Sequence, residues 1–208
     1  MIHPHTEIKQ ISENIGVGVL ATRLIPAGTI VFALDPLDIV LEPTNPIVMD
    51  PRHAAYVERY SFRDEKGRRV LSADHAKYVN HHCNPSTMST AWGFDIAVRD
   101  IQPGEELTCE YGLLNIEEPM ACDCGDPACR KTIDPNDYLV MGKTWNQRIR
   151  KAMKNFSQVE QPLMFLLSPE VLRQAQDFAA KGTGYKKVEN MVFHGLPSQN
   201  GVHHHVSR

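Results

Sequence analysis

The chain has 208 residues, of which 42% are hydrophobic and 23% charged, and its formal net charge is −3. This length allows one sizeable core plus an appendage and disfavours two full domains. The charge gives no reason to expect direct nucleic-acid binding, and the longest apolar run, Leu163 to Leu167, is far shorter than the roughly 18 residues that cross a bilayer. Because the N-terminal residues also lack the order of a signal peptide, we expect a soluble, intracellular protein with reduced cysteines and no membrane contact.

Residues 8 to 116 have the pattern of a β-rich region. Four short apolar stretches, VGVLAT, TIVFAL, LDIVLE and AWGFDIAV, are separated by Gly, Pro and Asp. Short strands with frequent turns are typical of mainly β proteins, so each stretch predicts a strand.

One internal echo lies in this region. Segments 21–28 and 97–104 share Ala, Arg, Ile and Gly at identical offsets. Each predicts a strand, a turn at the glycine and a second strand. The echo is either a coincidence between two similar turns or a pair of alike turn units that flank one core.

Residues 50 to 78 are less regular. DPRHAAYVERY predicts a short helix with Pro51 at its first position. FRDEKGRRV predicts a solvated turn around Gly67.

Helical periodicity begins later in the chain. Between Lys143 and Phe156, apolar residues recur at helical spacing and predict an amphipathic helix: Trp145, Ile149, Ala152 and Phe156. Ser168 can cap a second helix with Pro169 at its first position, ending near Gly182. We interpret both apolar stripes as ordinary packing, and we expect residues 183–208 to form a flexible tail whose adjacent histidines have no role.

The stretch CDCGDPACR, residues 122–130, contains three of the four ligands that a structural metal site needs. Its three cysteines lie in a loop whose Gly, Asp and Pro suit a tight turn: Cys122, Cys124 and Cys129. A structural zinc site takes four ligands, and the candidates for the fourth lie upstream: Cys83, Cys109, His81 and His82. Cys109 alternates along a predicted strand as a small buried residue would, whereas Cys83 lies in a turn-forming segment that can aim a thiolate freely. Cys83 is therefore the preferred ligand, and a redox or incidental cluster remains the alternative.

Four motifs now occur in a recognisable order. They are Gly16-Val-Gly18 with Ala21 and Ile25-x2-Gly28; Asn80-His-His-Cys-Asn-Pro85; Gly104-Glu-Glu-Leu-Thr-Cys-Glu-Tyr111; and Cys122-x-Cys-Gly-x3-Cys-Arg130. Together they resemble the SET-domain protein lysine methyltransferases that carry a post-SET zinc loop. The resemblance covers residues 16 to 130.

The resemblance implies a fold and a division of the chain. The expected fold is mainly β: a SET-domain β-clip with a pseudoknot, in which the segment ending at Tyr111 passes near Asn80–Cys83, followed by a helical C-terminal extension. The expected regions are a SET domain at 8–116, a post-SET zinc loop at 117–135, a helical extension at 140–182 and the tail at 183–208.

The resemblance also implies an activity and its residues. The reaction would be methyl transfer from S-adenosylmethionine to a lysine of a protein or peptide, with Tyr111 as the catalytic residue. The residues implied to bind the cofactor are Gly16, Val17, Gly18, Val19, Lys77, Asn80, His81 and Tyr111. One structural Zn²⁺ would bind the family's four cysteine positions, which fall on Cys83, Cys122, Cys124 and Cys129.

Two further points concern what the site could do. Cys109 stands where relatives carry a bulkier ring, and the smaller side chain favours di- or trimethylation. Two competing interpretations remain: a catalytically inactive SET module that binds peptides or partners, and a zinc-dependent nucleic-acid binder. The acidic balance argues against the second of these.

Overall fold

The computed structural model describes residues 1–13 and 15–195 and is built mainly from small β-sheets. Within those residues the strands are β1 Thr6–Ser12, β2 Gly16–Ala21, β3 Ile30–Ala33, β4 Ile39–Leu41, β5 Ser61–Arg63, β6 Arg69–Leu71, β7 Asn80–His81, β8 Thr87–Ser89, β9 Phe94–Ala97, β10 Glu106–Cys109, β11 Met120–Ala121 and β12 Thr132–Ile133. The α-helices are α1 Pro46–Met49, α2 Pro51–Tyr60, α3 Asp137–Met153 and α4 Pro169–Lys181. The predicted fold class, mainly β with a helical C-terminal segment, is confirmed.

The strands form four sheets among the described residues, with the orders β1-β2-β10-β7, β3-β9-β8, β4-β6-β5 and β11-β12. The first of these brings distant segments together. β10 pairs antiparallel with β2 on one side and parallel with β7 on the other, with Thr108 opposite Asn80 and Cys109 opposite His81. The segment that ends at Tyr111 therefore lies beside the Asn80–Cys83 segment, as the resemblance implied.

The two echoed segments pair with each other. Ile25 and Ile101 exchange both backbone hydrogen bonds, at 3.0 and 2.9 Å. The glycine amide of each segment also donates to the first alanine carbonyl of the other: Gly28 to Ala97 at 2.9 Å and Gly104 to Ala21 at 2.7 Å. Both glycines have positive φ, 99° and 80°, which other residues rarely adopt. The echo is thus a reciprocal pair of turn units rather than a coincidence.

The C-terminal helices share a core with the sheets. The predicted stripe is buried, each residue at most 2% exposed: Trp145, Ile149, Ala152 and Phe156. It packs in one cluster with Phe94 and Ile96 of β9, and burying a large apolar side chain is worth about 1.5–3 kcal/mol. The helix itself begins at Asp137, six residues before the predicted start, because an acidic residue in the first turn suits the positive end of the helix dipole. The predicted extension at 140–182 is therefore packed on the β-sheets and not separate from them.

Three local predictions are confirmed at helix ends. Ser168 caps α4 by accepting a hydrogen bond from the Val171 amide at 3.3 Å, and Gly182 ends it with φ 70°. Helix α2 begins at Pro51, where the Asp50 side chain accepts from the backbone of the second helical residue. Within residues 1–13 and 15–195, no helix combines the length and apolar character needed to cross a bilayer.

The prediction of a flexible tail from residue 183 is wrong for its first part. Two asparagine side chains hold this segment: Asn146 Oδ1 accepts from Tyr185 Oη at 2.9 Å and from the Val188 amide at 3.0 Å, and Asn115 Oδ1 accepts from the Phe193 amide at 2.9 Å. Val188 is 1% exposed. A flexible tail would have neither these hydrogen bonds to its backbone nor a buried side chain. Residues 196–208, including the adjacent histidines, lie outside the described part of the chain.

The same segment changes the view of the turn at Gly67. The glycine has φ 79°, as a turn residue would, but a side chain there would meet the Phe193 ring at 2.5 Å. The turn between β5 and β6 is covered by the C-terminal segment and is not simply solvated.

Candidate active site and metal centre

Four sulfur atoms converge at one place in the fold. The Sγ atoms of Cys83, Cys122, Cys124 and Cys129 all lie within 4.8 Å of one another. Cys122 Sγ is 3.8 Å from Cys83 Sγ and 3.6 Å from Cys129 Sγ. A tetrahedron with Zn–S bonds of about 2.3 Å separates its sulfurs by about 3.8 Å, whereas a disulfide requires about 2 Å. The cysteines are free, and their arrangement fits a four-coordinate zinc ion.

Backbone amides support the charge that a metal site needs. The amides of Cys83, Arg130 and Lys131 donate to the sulfurs of Cys124, Cys83 and Cys129 respectively, each at 3.4 Å. The Lys131 amide, the largest influence, lowers the pKa of Cys129 to about 7, while burial raises the pKa of Cys83 and Cys122. Metal binding requires thiolates, and these N–H donors stabilise them.

The other ligand candidates lie outside the cluster. Cys109 is 6% exposed on β10 and lines the cavity described below. His82 Nδ1 accepts from the Asn84 amide at 3.0 Å. His81 Nε2 comes within 3.5 Å of Cys83 Sγ, but its Nδ1 accepts from the Tyr111 amide at 3.2 Å, so its ring bridges the cluster and the strand end. The turn-based choice of Cys83 over Cys109 agrees with this placement.

Both the backbone and the side-chain hydroxyl of Tyr111 are held in place. It opens the 3₁₀ turn Tyr111–Leu113 directly after β10, and its hydroxyl donates to the Val79 carbonyl at 3.0 Å. Burial raises the pKa of the phenol well above its ordinary value, so the hydroxyl keeps its proton at neutral pH. The ring lies 5.4 Å from that of His81.

A large cavity passes Tyr111. It measures about 1220 Å³, and its lining includes Val17, Asn80, Arg59, Tyr60 and Tyr111. Small-molecule sites occupy roughly 300–1,000 Å³. The volume therefore allows a cofactor and part of a second reactant to be present together.

The comparison with known families decides the identity of this region. The family model of the SET domain matches residues 16–112. Residues 16–112 form a SET domain. The matched segment contains the β2 glycines, the Asn80–Cys83 segment and Tyr111, and it ends before the cysteine loop and α3.

Individual relatives of the SET domain are distant and mostly longer. Histone-lysine N-methyltransferase ASHH3 of Arabidopsis thaliana is 26% identical over 141 residues, covering 59% of this chain and 36% of that protein. Histone-lysine N-methyltransferase trr of Drosophila melanogaster is 32% identical over 133 residues, covering 56% of this chain and 5% of that protein. The chain thus spans well under two thirds of either relative's length. The methyltransferase domain of human SETMAR is a similar solved structure at 17% identity and TM-score 0.43, covering 64% of this chain and 58% of that chain.

The predicted cofactor residues of the SET domain divide into two groups. Those that line the cavity are Val17, Lys77, Asn80 and Tyr111. Those that lie outside its lining are Gly16, Gly18, Val19 and His81. Val19 is fully buried in the core beneath β2, so its side chain packs there and is not exposed on the cavity wall.

Gly18 is important because neighbouring side chains occupy the space that a side chain of its own would need. A side chain there would meet Glu106 Oε1 at 2.4 Å and Asn80 Nδ2 at 3.0 Å. The Asn80 amide group sits close to β2, donating to the Val17 carbonyl at 3.1 Å and to Glu106 Oε1 at 2.8 Å. The absence of a side chain at Gly18 therefore makes room for Asn80. Both side-chain N–H groups of Asn80 donate in these two hydrogen bonds. Its side-chain carbonyl oxygen is thus the polar atom left for a ligand.

Sequence reasoning missed several residues around Tyr111. The Val79 carbonyl is a backbone group and carries no sequence signal. Tyr60 ends α2 and packs edge-on against Tyr78 in the cavity wall, with ring centroids 5.8 Å apart; its only signal was an aromatic residue in the last turn of a predicted helix. Glu110 is 1% exposed and pairs with Arg130 at 2.6 Å, an interaction that motif matching does not describe.

Proposed function

We propose that the chain is a protein-lysine N-methyltransferase that uses S-adenosylmethionine as methyl donor. The observation that carries the proposal is the position of Tyr111 within a SET domain, in the wall of the cavity that Val17 and Asn80 also line. The two relatives named above are histone-lysine N-methyltransferases. We therefore propose that the substrate of this chain is also a lysine side chain of a protein.

The cavity can contribute to the reaction by orientation and desolvation. A free lysine has a pKa near 10.4, and only its neutral amine attacks. The cavity wall near Tyr111 includes buried Cys109, Leu107 and Leu113, and a poorly hydrated wall disfavours the ammonium form. Aligning two reactants can contribute roughly 7–11 kcal/mol to the lowering of a barrier.

Tyr111 would orient the amine through its oxygen. Its proton is donated to the Val79 carbonyl, so the phenol lone pairs are the part that can accept a hydrogen bond from the lysine nitrogen. Because burial raises the pKa of Tyr111, the hydroxyl stays neutral and serves to position the amine and not as a general base. Bound S-adenosylmethionine would supply the electrophilic methyl group, with Val17, Lys77 and Asn80 as its cavity-side contacts.

Zinc would have a structural part. The four clustered sulfurs would hold one ion, and that ion would fasten loop 122–130 to the Asn80–Cys83 segment. Apparent zinc binding free energies of about 10–16 kcal/mol in small modules exceed the few kcal/mol needed to close such a loop. The metal takes no part in methyl transfer.

The test is transfer of a radiolabelled methyl group from S-adenosylmethionine to proteins of a cell lysate. We expect Tyr111→Phe to lower transfer by about 100-fold or more, since orientation at the reacting atom is lost, while calorimetry still detects cofactor binding. Tyr78→Phe, another tyrosine of the same cavity, is the matched control and should retain most activity.

The outcomes separate the competing interpretations. Cofactor binding without transfer to any protein would identify an inactive module that binds peptides or partners. Absence of cofactor binding would contradict both that interpretation and the proposal that the chain is a methyltransferase. Equal loss in the two tyrosine variants would remove the special role of Tyr111.

A further inference from the structure

Cys83 is the point at which the cysteine cluster meets the Tyr111 segment. Its sulfur accepts a hydrogen bond from the Arg130 amide at 3.4 Å and lies 3.5 Å from His81 Nε2. Both of these residues also contact residues directly after the end of β10. One route passes through the His81 ring, and the other through the Arg130 side chain.

The His81 route fixes the amide of Tyr111 itself. The Tyr111 N–H donates to His81 Nδ1 at 3.2 Å, so this nitrogen carries no proton. In a neutral imidazole the proton is then on Nε2, which faces Cys83 Sγ.

The route through the Arg130 side chain holds the backbone amide of Gly112, the residue after Tyr111. The guanidinium donates to Glu110 Oε1 at 2.6 Å, and the same carboxylate accepts from the Gly112 amide at 2.9 Å. Arg130 also lies 3.3 Å from Asp137 at the start of α3, and its guanidinium carbon is 5.7 Å from the Trp145 ring centroid. The Glu110 side chain is fully buried, so its charge depends on this arginine.

We propose that Arg130 is a positioning residue that couples the cysteine cluster to Tyr111 through Glu110. The backbone of Arg130 belongs to the cysteine loop and its side chain belongs to the Tyr111 turn. Order in the loop therefore sets the conformation of the turn, and loss of metal loosens it. The coupling rests on the proposed function only for its consequence in catalysis; its geometry is independent of the reaction.

The test is a cycle that combines Arg130→Met with metal chelation, read out by hydrogen exchange at the Gly112 amide. The substitution keeps the Arg130 backbone N–H and so should leave about one zinc per chain. We expect chelation to speed Gly112 exchange about tenfold in the wild type, Arg130→Met to speed it similarly, and chelation of the variant to add little. Lys131 is the exposed cation directly after the loop and pairs with Asp123; Lys131→Met should behave as the wild type.

A second variant protects the test against misfolding. Arg130→Met leaves a buried carboxylate without its partner, whereas Arg130→Met with Glu110→Gln removes both charges. The side-chain carbonyl oxygen of the glutamine can still accept from the Gly112 N–H. This double variant should therefore show slow Gly112 exchange that no longer responds to chelation.

Three results would overturn the coupling. Gly112 exchange in the wild type could be indifferent to chelation; the effects of chelation and Arg130→Met could simply multiply; or the double variant could respond to chelation as the wild type does. Where methyl transfer is measurable, Arg130→Met should lower kcat with the cofactor KM nearly unchanged, because Tyr111 and not the cofactor contacts is displaced. A wild type that shows the exchange coupling but no methyl transfer would instead count against the proposed function alone.

Discussion

The cysteine cluster and the cavity around Tyr111 lie side by side but are held together in different ways. Tyr111 follows a strand that is paired on both sides, by β2 and by β7, above a core that includes fully buried Val19 and Leu107. The cluster joins loop 122–130 and Cys83, and its neighbouring strands β11 and β12 have two residues each. Sheet pairing and core packing therefore define one site, while the sulfurs define the other.

This difference determines how each site should fail. Burial of apolar side chains stabilises the cavity wall whether or not a metal is bound. The loop has no comparable core, because Cys122 is buried but Asp123 within the loop and Lys131 directly after it are exposed. Loss of one sulfur ligand should therefore disorder the loop and leave the SET domain folded.

The largest expected effect is loss of zinc. Metal analysis should give about one zinc per chain for the wild type, and Cys124→Ser should lose it, since the apparent binding free energy of about 10–16 kcal/mol depends on all four ligands. Cys109→Ser is the matched control and should retain the metal, because this cysteine lies on β10 away from the cluster. Retention of zinc in Cys124→Ser, or its loss in Cys109→Ser, would contradict the ligand set.

Much of both sites was predictable from sequence, for a definite reason. The four cysteines, Asn80 and Tyr111 occur in motifs with fixed spacing, and short strands with turn residues predicted the β-rich half. The pairing of Ile25 with Ile101 was not predicted, since an echo in sequence does not say which segments meet.

The residues that sequence reasoning missed act through long-range contacts. Arg130 and Glu110 are 20 positions apart, and Asn115 holds a segment 78 positions away. The tail prediction failed for residues 183–195 for the same reason: a polar stretch is ordered when distant asparagines satisfy its backbone. Neither composition nor periodicity contains that information.

A smaller effect concerns the cysteine of the cavity. Cys109 lines the cavity two residues before Tyr111, and we predict that its size leaves room for di- or trimethylation. Cys109→Phe should shift the products toward monomethyl-lysine by about 10- to 100-fold, the usual range when one pocket group rejects extra methyls. Mass spectrometry of a methylated substrate measures the distribution. Cys109→Ala, which keeps the space open, should leave the distribution close to that of the wild type; an unchanged distribution in Cys109→Phe would place the limit on methylation elsewhere.

The smallest effect separates acid unfolding of the β-sheets from acid release of the metal. His3 is 3% exposed, and burial together with the charge of His5 lowers its pKa from 6.5 to about 4. Its folded pKa lies below the unfolded value, so the neutral ring contributes stability above pH 6.5 that is lost as the pH falls toward 4, on the order of 2 kcal/mol.

His3→Asn tests this contribution. His3 Nδ1 accepts from the His5 amide at 3.2 Å, and an asparagine oxygen can take that hydrogen bond without titrating. Denaturant unfolding between pH 7 and pH 4 should therefore show a shallower loss of stability in the variant. Zinc release on acidification follows protonation of the cysteine thiolates, so its midpoint should be the same in both proteins. A shift of that midpoint in His3→Asn would mean that the sheets and the cluster are not separately held.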